Sequence, residues 1–254
     1  MAPLDLQQVL REWPHDPEQV SVRKIVGADG TVRIQMRVEL GVLQMEADGR
    51  PDGMRPHGEE SLLSFHQQRL AHHEAQNGTS LGFAVSSREC LELRLEASHF
   101  YRRFVALFVL EEYKNVLRDT THTLAVFDLC RDYAFERDDR LCMEPYRPYV
   151  LMMEAKARAY QSLNDGEPAS ALAHVNRGIL QIKELFENGL EGQGPEGCSE
   201  IKVLQSLAVE LARKIPPNTA VVRHQALRAA IADERFEEAA KLRKALHSRN
   251  HRSS

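Results

Sequence analysis

The chain has 254 residues and 28.9 kDa, with 33 Lys+Arg against 37 Asp+Glu, 43% hydrophobic and 6% aromatic residues. Such a composition builds one or two packed domains and excludes a disordered tail or a collagen-like fibre. The longest apolar run, Phe104 to Leu110, falls well short of the roughly 18–20 residues that span a bilayer, and Met1 to Trp13 lacks the basic-then-apolar layout of a secretory signal. A cytoplasmic protein without membrane contact is therefore expected.

Cys90, Cys130, Cys142 and Cys198 stand far apart with no CxxC pair, which argues against a zinc ribbon or a disulfide framework and for reduced thiols. The formal charge of -4 is uneven, because residues 221–254 hold eight Lys/Arg and four Asp/Glu, leaving -8 for the rest. The closing run with His247, Arg249, His251 and Arg252 has no apolar period and reads as a frayed, solvated end rather than a nucleic-acid contact.

In chain order, Val20, Val22 and Ile25 precede Gly27-Ala28-Asp29-Gly30, and Val32, Ile34, Met36, Val38 and Leu40 then alternate with polar residues. Period two on either side of an Asp-Gly turn predicts a β hairpin with one apolar face, with pairing extended toward Val42, Leu43 and Met45. A hairpin is unstable alone, so that face must pack on the helices C-terminal to it. The loop from Ala47 to Gly58 is rich in Gly and Pro and gathers Arg50, Asp52, Arg55 and His57, a candidate ligand loop for an anion or a partner.

From Glu59 the pattern is helical, with expected helices near 59–77, 87–117, 121–137, 146–163, 168–188, 199–214, 219–232 and 235–248. Ser86-Ser87-Arg88-Glu89 forms a capping box, and Pro168 fits a first helical turn, where its missing N–H is harmless. His66, His72 and His73 on one helix are expected at the surface. The fold class is mainly α: an N-terminal β hairpin (1–58) on a helical body (59–215), followed by a C-terminal helical hairpin (219–248). Ala155, Ala157, Ala159 and Tyr160 precede the Leu163-Asn164-Asp165-Gly166 turn and Ala169, Ala171, Leu172 and Val175 follow it, so residues 150–188 resemble a tetratricopeptide helix hairpin.

The most specific stretch runs from Leu227 to Leu246, two amphipathic helices meeting at a polar turn. Leu227, Ala230 and Ile231 share one face of the first, and Phe236, Ala239, Ala240, Leu242 and Leu246 line the second. About thirty residues with so few large apolar side chains need another surface to cover them. Through Leu227, Ala230, Ile231, Glu234, Phe236, Glu237, Ala239, Ala240, Leu242 and Arg243 the stretch resembles the UVR motif, shared by the UvrB and UvrC subunits of bacterial nucleotide excision repair and by other bacterial proteins. The resemblance implies a protein-protein contact surface, with Leu227, Ile231, Phe236, Ala239, Ala240, Leu242 and Arg243 as partner-binding residues, and no catalysis. Lys244 and Arg235 stand where the motif usually has acids, which alters the charge complementarity that selects a partner.

The competing chemistry is metal. Glu96-Ala-Ser-His99 has the Glu-x-x-His spacing that places two ligands on one helix face, and Asp119-Thr-Thr-His122 repeats it, with Asp119 or Thr120 otherwise capping a helix. No phosphate loop, helicase motif or nucleophile with a neighbouring base is present in the sequence. The expected function is a non-catalytic interaction or adaptor protein without a cofactor, binding another protein or a second copy of itself through the C-terminal hairpin. A link to DNA repair or stress response comes from the motif's company alone. The alternative is a metal-dependent enzyme with Glu96 and His99 on the helical body.

Overall fold

The computed structural model describes residues 6–189 and 194–215, together with the single positions 235 and 240. After a short helix α1 (Gln7–Glu12), three strands, β1 (Val22–Val26), β2 (Val32–Val38) and β3 (Gly41–Glu46), form an antiparallel sheet in the order β1-β2-β3. The expected hairpin is thus a three-stranded meander. Leu40 ends the alternating run but sits in the second turn, 88% exposed, and β3 pairs back with Ile34 opposite Met45 and Met36 opposite Leu43. One face buries Ile34, Met36 and Met45 in the same core as the helices, while the other carries Arg23, Gln35 and Gln44 in a hydrogen-bonded row.

The helical body comprises α2 (Leu62–Asn77), α3 (Ser87–Val109), α4 (Tyr113–Tyr133), α5 (Arg137–Leu141), α6 (Arg147–Asn164), α7 (Pro168–Glu187), α8 (Gly194–Gly197) and α9 (Ser199–Lys214). The starts of α3 and α7 follow the sequence signals, while α2 starts at Leu62 rather than at 59. Ser61 caps α2 by accepting from Ser64 N, Ser86 and Glu89 complete the capping box of α3, and Pro168 opens α7.

The long helix expected over 87–117 is two helices. Glu111 takes a left-handed conformation (φ 60), Glu112 N–H donates to Leu107 O, and Glu111 N–H donates to Phe108 O, the double closure of a Schellman turn with glutamate in the place glycine normally fills. α4 then runs through the expected break near 118–120: Thr120 and Thr123 sit mid-helix, their hydroxyls bonded to Val116 O and Asp119 O, so neither Asp119 nor Thr120 is a cap.

α3, α4, α6, α7 and α9 pack in chain order, each chiefly on the next, with α6 touching α9 as well. Small residues set the closest approach. A methyl group at Gly178 of α7 would come within 2.5 Å of Ala155 Cβ on α6, and Ala155, Ala157, Ala159 and Ala171 are buried. No helix among the described residues is long and apolar enough to cross a membrane.

Candidate functional site

The loop after β3 folds back on the sheet and carries its polar residues to the helices. Glu46 N–H donates to Pro51 O and Gly53 N–H to Arg50 O, with Gly49 and Gly53 at positive φ. That path delivers Arg50 and Asp52 against α3. Arg50 Nε lies 3.0 Å from Asp52 Oδ1, its Nη1 lies 3.3 Å from Glu96 Oε2, and Asp52 Oδ2 lies 3.5 Å from His99 Nδ1. Arg55 stays exposed, and His57, at φ 54, stacks on Phe65 with ring centroids 4.0 Å apart. The candidate loop therefore divides, with two of its residues entering the site and two staying outside.

Glu96 stands at the centre with no exposed surface. Its carboxylate accepts from Leu62 N (2.7 Å) and Leu63 N (3.1 Å), two donors at the start of α2 that lack an intrahelical partner, and from His122 Nε2 at 3.1 Å. An ionised carboxylate only accepts, so His122 carries its proton on Nε2. Burial pushes the Glu96 pKa up, but the bonds from His122, Leu62 and Leu63 outweigh it and hold it below the ordinary glutamate value. The His122 ring stacks on Phe100 at 3.7 Å.

About two turns beyond Glu96 on α3, Arg103 meets Asp119 of α4 in a fork, Nε to Oδ2 at 2.7 Å and Nη2 to Oδ1 at 2.8 Å, both side chains fully buried. Arg103 Nη1 donates to Glu46 O, and Arg118 joins Asp119, Asp48 and Ala47 O at 2.8, 2.7 and 3.0 Å. Two arginines thereby clamp the end of β3 to the α3–α4 hairpin. Burial lowers the Arg118 pKa, but its bonds to Asp119 and Asp48 dominate and raise it.

The two acid-histidine spacings are taken apart by the fold. Glu96 pairs with His122 rather than His99, His99 faces Asp52, and Asp119 belongs to the arginines. Among the described residues no group of three or more His, Cys, Asp or Glu side chains is placed to hold a metal ion. Chemically the arrangement locks loop, sheet and two helices together. His99 Nδ1 and Arg50 Nε are the two buried side-chain nitrogens left without a hydrogen bond among the described residues. Sequence reasoning missed Arg103 and Arg118, which meet on the buried Asp119 through helix packing rather than through any local motif, and it placed His66 at the surface. His66 is buried, and Arg69 donates to its Nδ1.

Of the partner-binding residues, Leu227, Ile231, Phe236, Ala239, Leu242 and Arg243 lie outside the described residues, and Ala240 is helical and exposed. No family model, no curated protein and no solved structure matches the chain.

Proposed function

We propose that this chain is a non-catalytic interaction protein whose helical body, tetratricopeptide-like in its α6–α7 hairpin, presents the UVR-like segment 219–248 to a second copy of itself. The observation that carries the non-catalytic half is the occupancy of Glu96. Leu62 N, Leu63 N and His122 donate to its carboxylate and Arg50 lies 3.3 Å away as an ion pair, so the buried acid of the Glu96–His99 spacing is engaged in holding α2, α4 and the loop. The associative half rests on the hairpin's composition, two apolar faces mixing alanines with few large side chains, too little to bury both without another surface. Any link to DNA repair or stress response is carried only by the resemblance.

The test is the light-scattering mass of the full chain beside a chain ended at Pro217, with circular dichroism on both. A dimer that becomes a folded monomer on truncation supports the proposal; a folded monomer in both cases rejects self-association. The competing reading, a metal-dependent enzyme using Glu96 and His99, has one observation in its favour, the buried His99 Nδ1 without a hydrogen bond beside Asp52. Stoichiometric metal in the purified protein, lost in His99→Ala, would establish it.

A further inference from the structure

β3 is an edge strand, and the ladder fixes which of its backbone groups are spent. Arg37 N–H donates to Ser21 O on the β1 side of β2, so Arg33, Gln35 and Arg37 direct their peptide groups toward β1. Ile34, Met36 and Val38 then turn theirs toward Met45, Leu43 and Gly41 of β3. Alternate residues of a strand use opposite edges, which leaves Val42, Gln44 and Glu46 facing away from the sheet. Glu46 is engaged on that side: its N–H donates to Pro51 O, and its carbonyl accepts from Arg103. Pro51, in a turn, occupies the rung where a fourth strand would begin, and the chain leaves the edge there because Gly53 (φ 72) turns back to Arg50 O. The next two rungs, at Gln44 and Val42, have no partner on the open side among the described residues.

Beside these bare rungs runs an open cleft of about 170 Å³ between β3 and α3, lined by Leu43, Gln44, Met45, Asp52, His99 and Arg102. Its charge is unbalanced. Asp52 is taken by Arg50 and faces His99, whereas exposed Arg102 forms no ion pair among the described residues. Its neighbours one turn away on α3, Ser98, His99, Val105 and Ala106, supply no carboxylate. An unpaired edge is a template for another strand, and an unspent guanidinium beside it selects that strand's charge.

We propose that the β3 edge and this cleft receive an extended segment of an acidic partner protein. The segment continues from the rung that Pro51 occupies, exchanges hydrogen bonds with Gln44 and Val42, lays apolar side chains against Leu43 and Met45, and sets a carboxylate on Arg102. This surface is distinct from the C-terminal hairpin, and its test does not depend on whether that hairpin self-associates.

The probe is a displayed library of random twelve-residue peptides selected on the full chain. The expected result is enrichment of peptides with Asp or Glu among alternating apolar residues, at least tenfold weaker binding to Arg102→Glu and to Gln44→Pro, and at least tenfold slower amide exchange at Val42 and Gln44 when peptide is bound. Gln44→Pro removes an N–H that the sheet does not use, as edge strands tolerate; should it fail to fold, the charge reversal and the amide exchange decide. Selection that yields nothing above background, peptides that bind Arg102→Glu undiminished, or unchanged exchange at both amides would overturn the proposal. So would a dimer that Gln44→Pro converts to a monomer, since the edge would then belong to a second copy.

Discussion

Asp119 has a stronger claim on stability than any other single side chain in the polar cluster. Arg103 and Arg118 both bond to it, and neither it nor Arg103 touches solvent. Asp119→Asn removes the charge but keeps the shape, leaving the Arg103 guanidinium buried without its counter-ion, a loss of about 3–5 kcal/mol. Urea denaturation followed by circular dichroism should show that loss, a large share of the roughly 5–15 kcal/mol that holds a domain together. An unchanged midpoint would mean that water reaches the pair.

Two further buried residues contribute to the acid limb of stability. His66 is buried, burial holds its pKa below the ordinary 6.5, and its Nδ1 accepts from Arg69, so the fold prefers the neutral ring. The unfolded chain then binds the extra proton first, and stability falls as pH drops below about 6.5. Glu96 has its pKa held below the ordinary 4.5, so its contribution is complete above that value and is lost as pH falls toward the lower folded one. Denaturant midpoints against pH should therefore fall below about 6.5 and again below about 4.5, with Glu96→Gln reducing the lower fall and leaving the upper one.

At the scale of elements, some caps were legible, the one expected at Asp119 or Thr120 was misplaced, and left-handed turns without glycine were not legible. Ser86 with Glu89, and Pro168, announce helix starts through side-chain chemistry that the sequence displays, whereas the Ser61 cap starts α2 at Leu62 rather than at the expected Glu59. The α3–α4 break gives no such notice, because glutamate at φ 60 is held by the Leu107 and Phe108 carbonyls and by packing on either side. Glutamate in that region costs about 1–2 kcal/mol, against which glycine loses roughly 0.5–1 kcal/mol of unfolded-chain entropy. Glu111→Gly should thus leave the fold intact and raise stability by up to about 1 kcal/mol, read as a higher melting temperature. A lower one would show that the Glu111 side chain contributes more than its backbone strain costs. β3 was half legible: Val42, Leu43 and Met45 pointed to continued pairing, but the turn that makes a third strand carries Leu40, a residue with no turn chemistry.

Across the whole molecule, the mainly α architecture with its sheet packed on the helical body follows from period and punctuation, whereas the candidate site does not. Arg50 and Asp52 on one side, and Glu96 and His99 on the other, were each visible as chemistry in the sequence, yet their meeting is a tertiary event between segments more than forty residues apart. Local spacing suggested Glu96 with His99 and Asp119 with His122; helix packing exchanged the partners, because α3 and α4 face each other along the rows that bear Glu96, Phe100, Arg103, Asp119 and His122. The resulting clamp explains how a small sheet, unstable alone, is held to a helical stack through Glu46, Ala47 and Asp48. In the proposed function, self-association falls to the segment 219–248. The light-scattering mass of the full chain across a range of concentrations, beside the chain ended at Pro217, bears most directly on that account: a dimer reduced by truncation to a monomer with undiminished helical signal is the predicted result, and a full-length chain that stays monomeric at every concentration would contradict it.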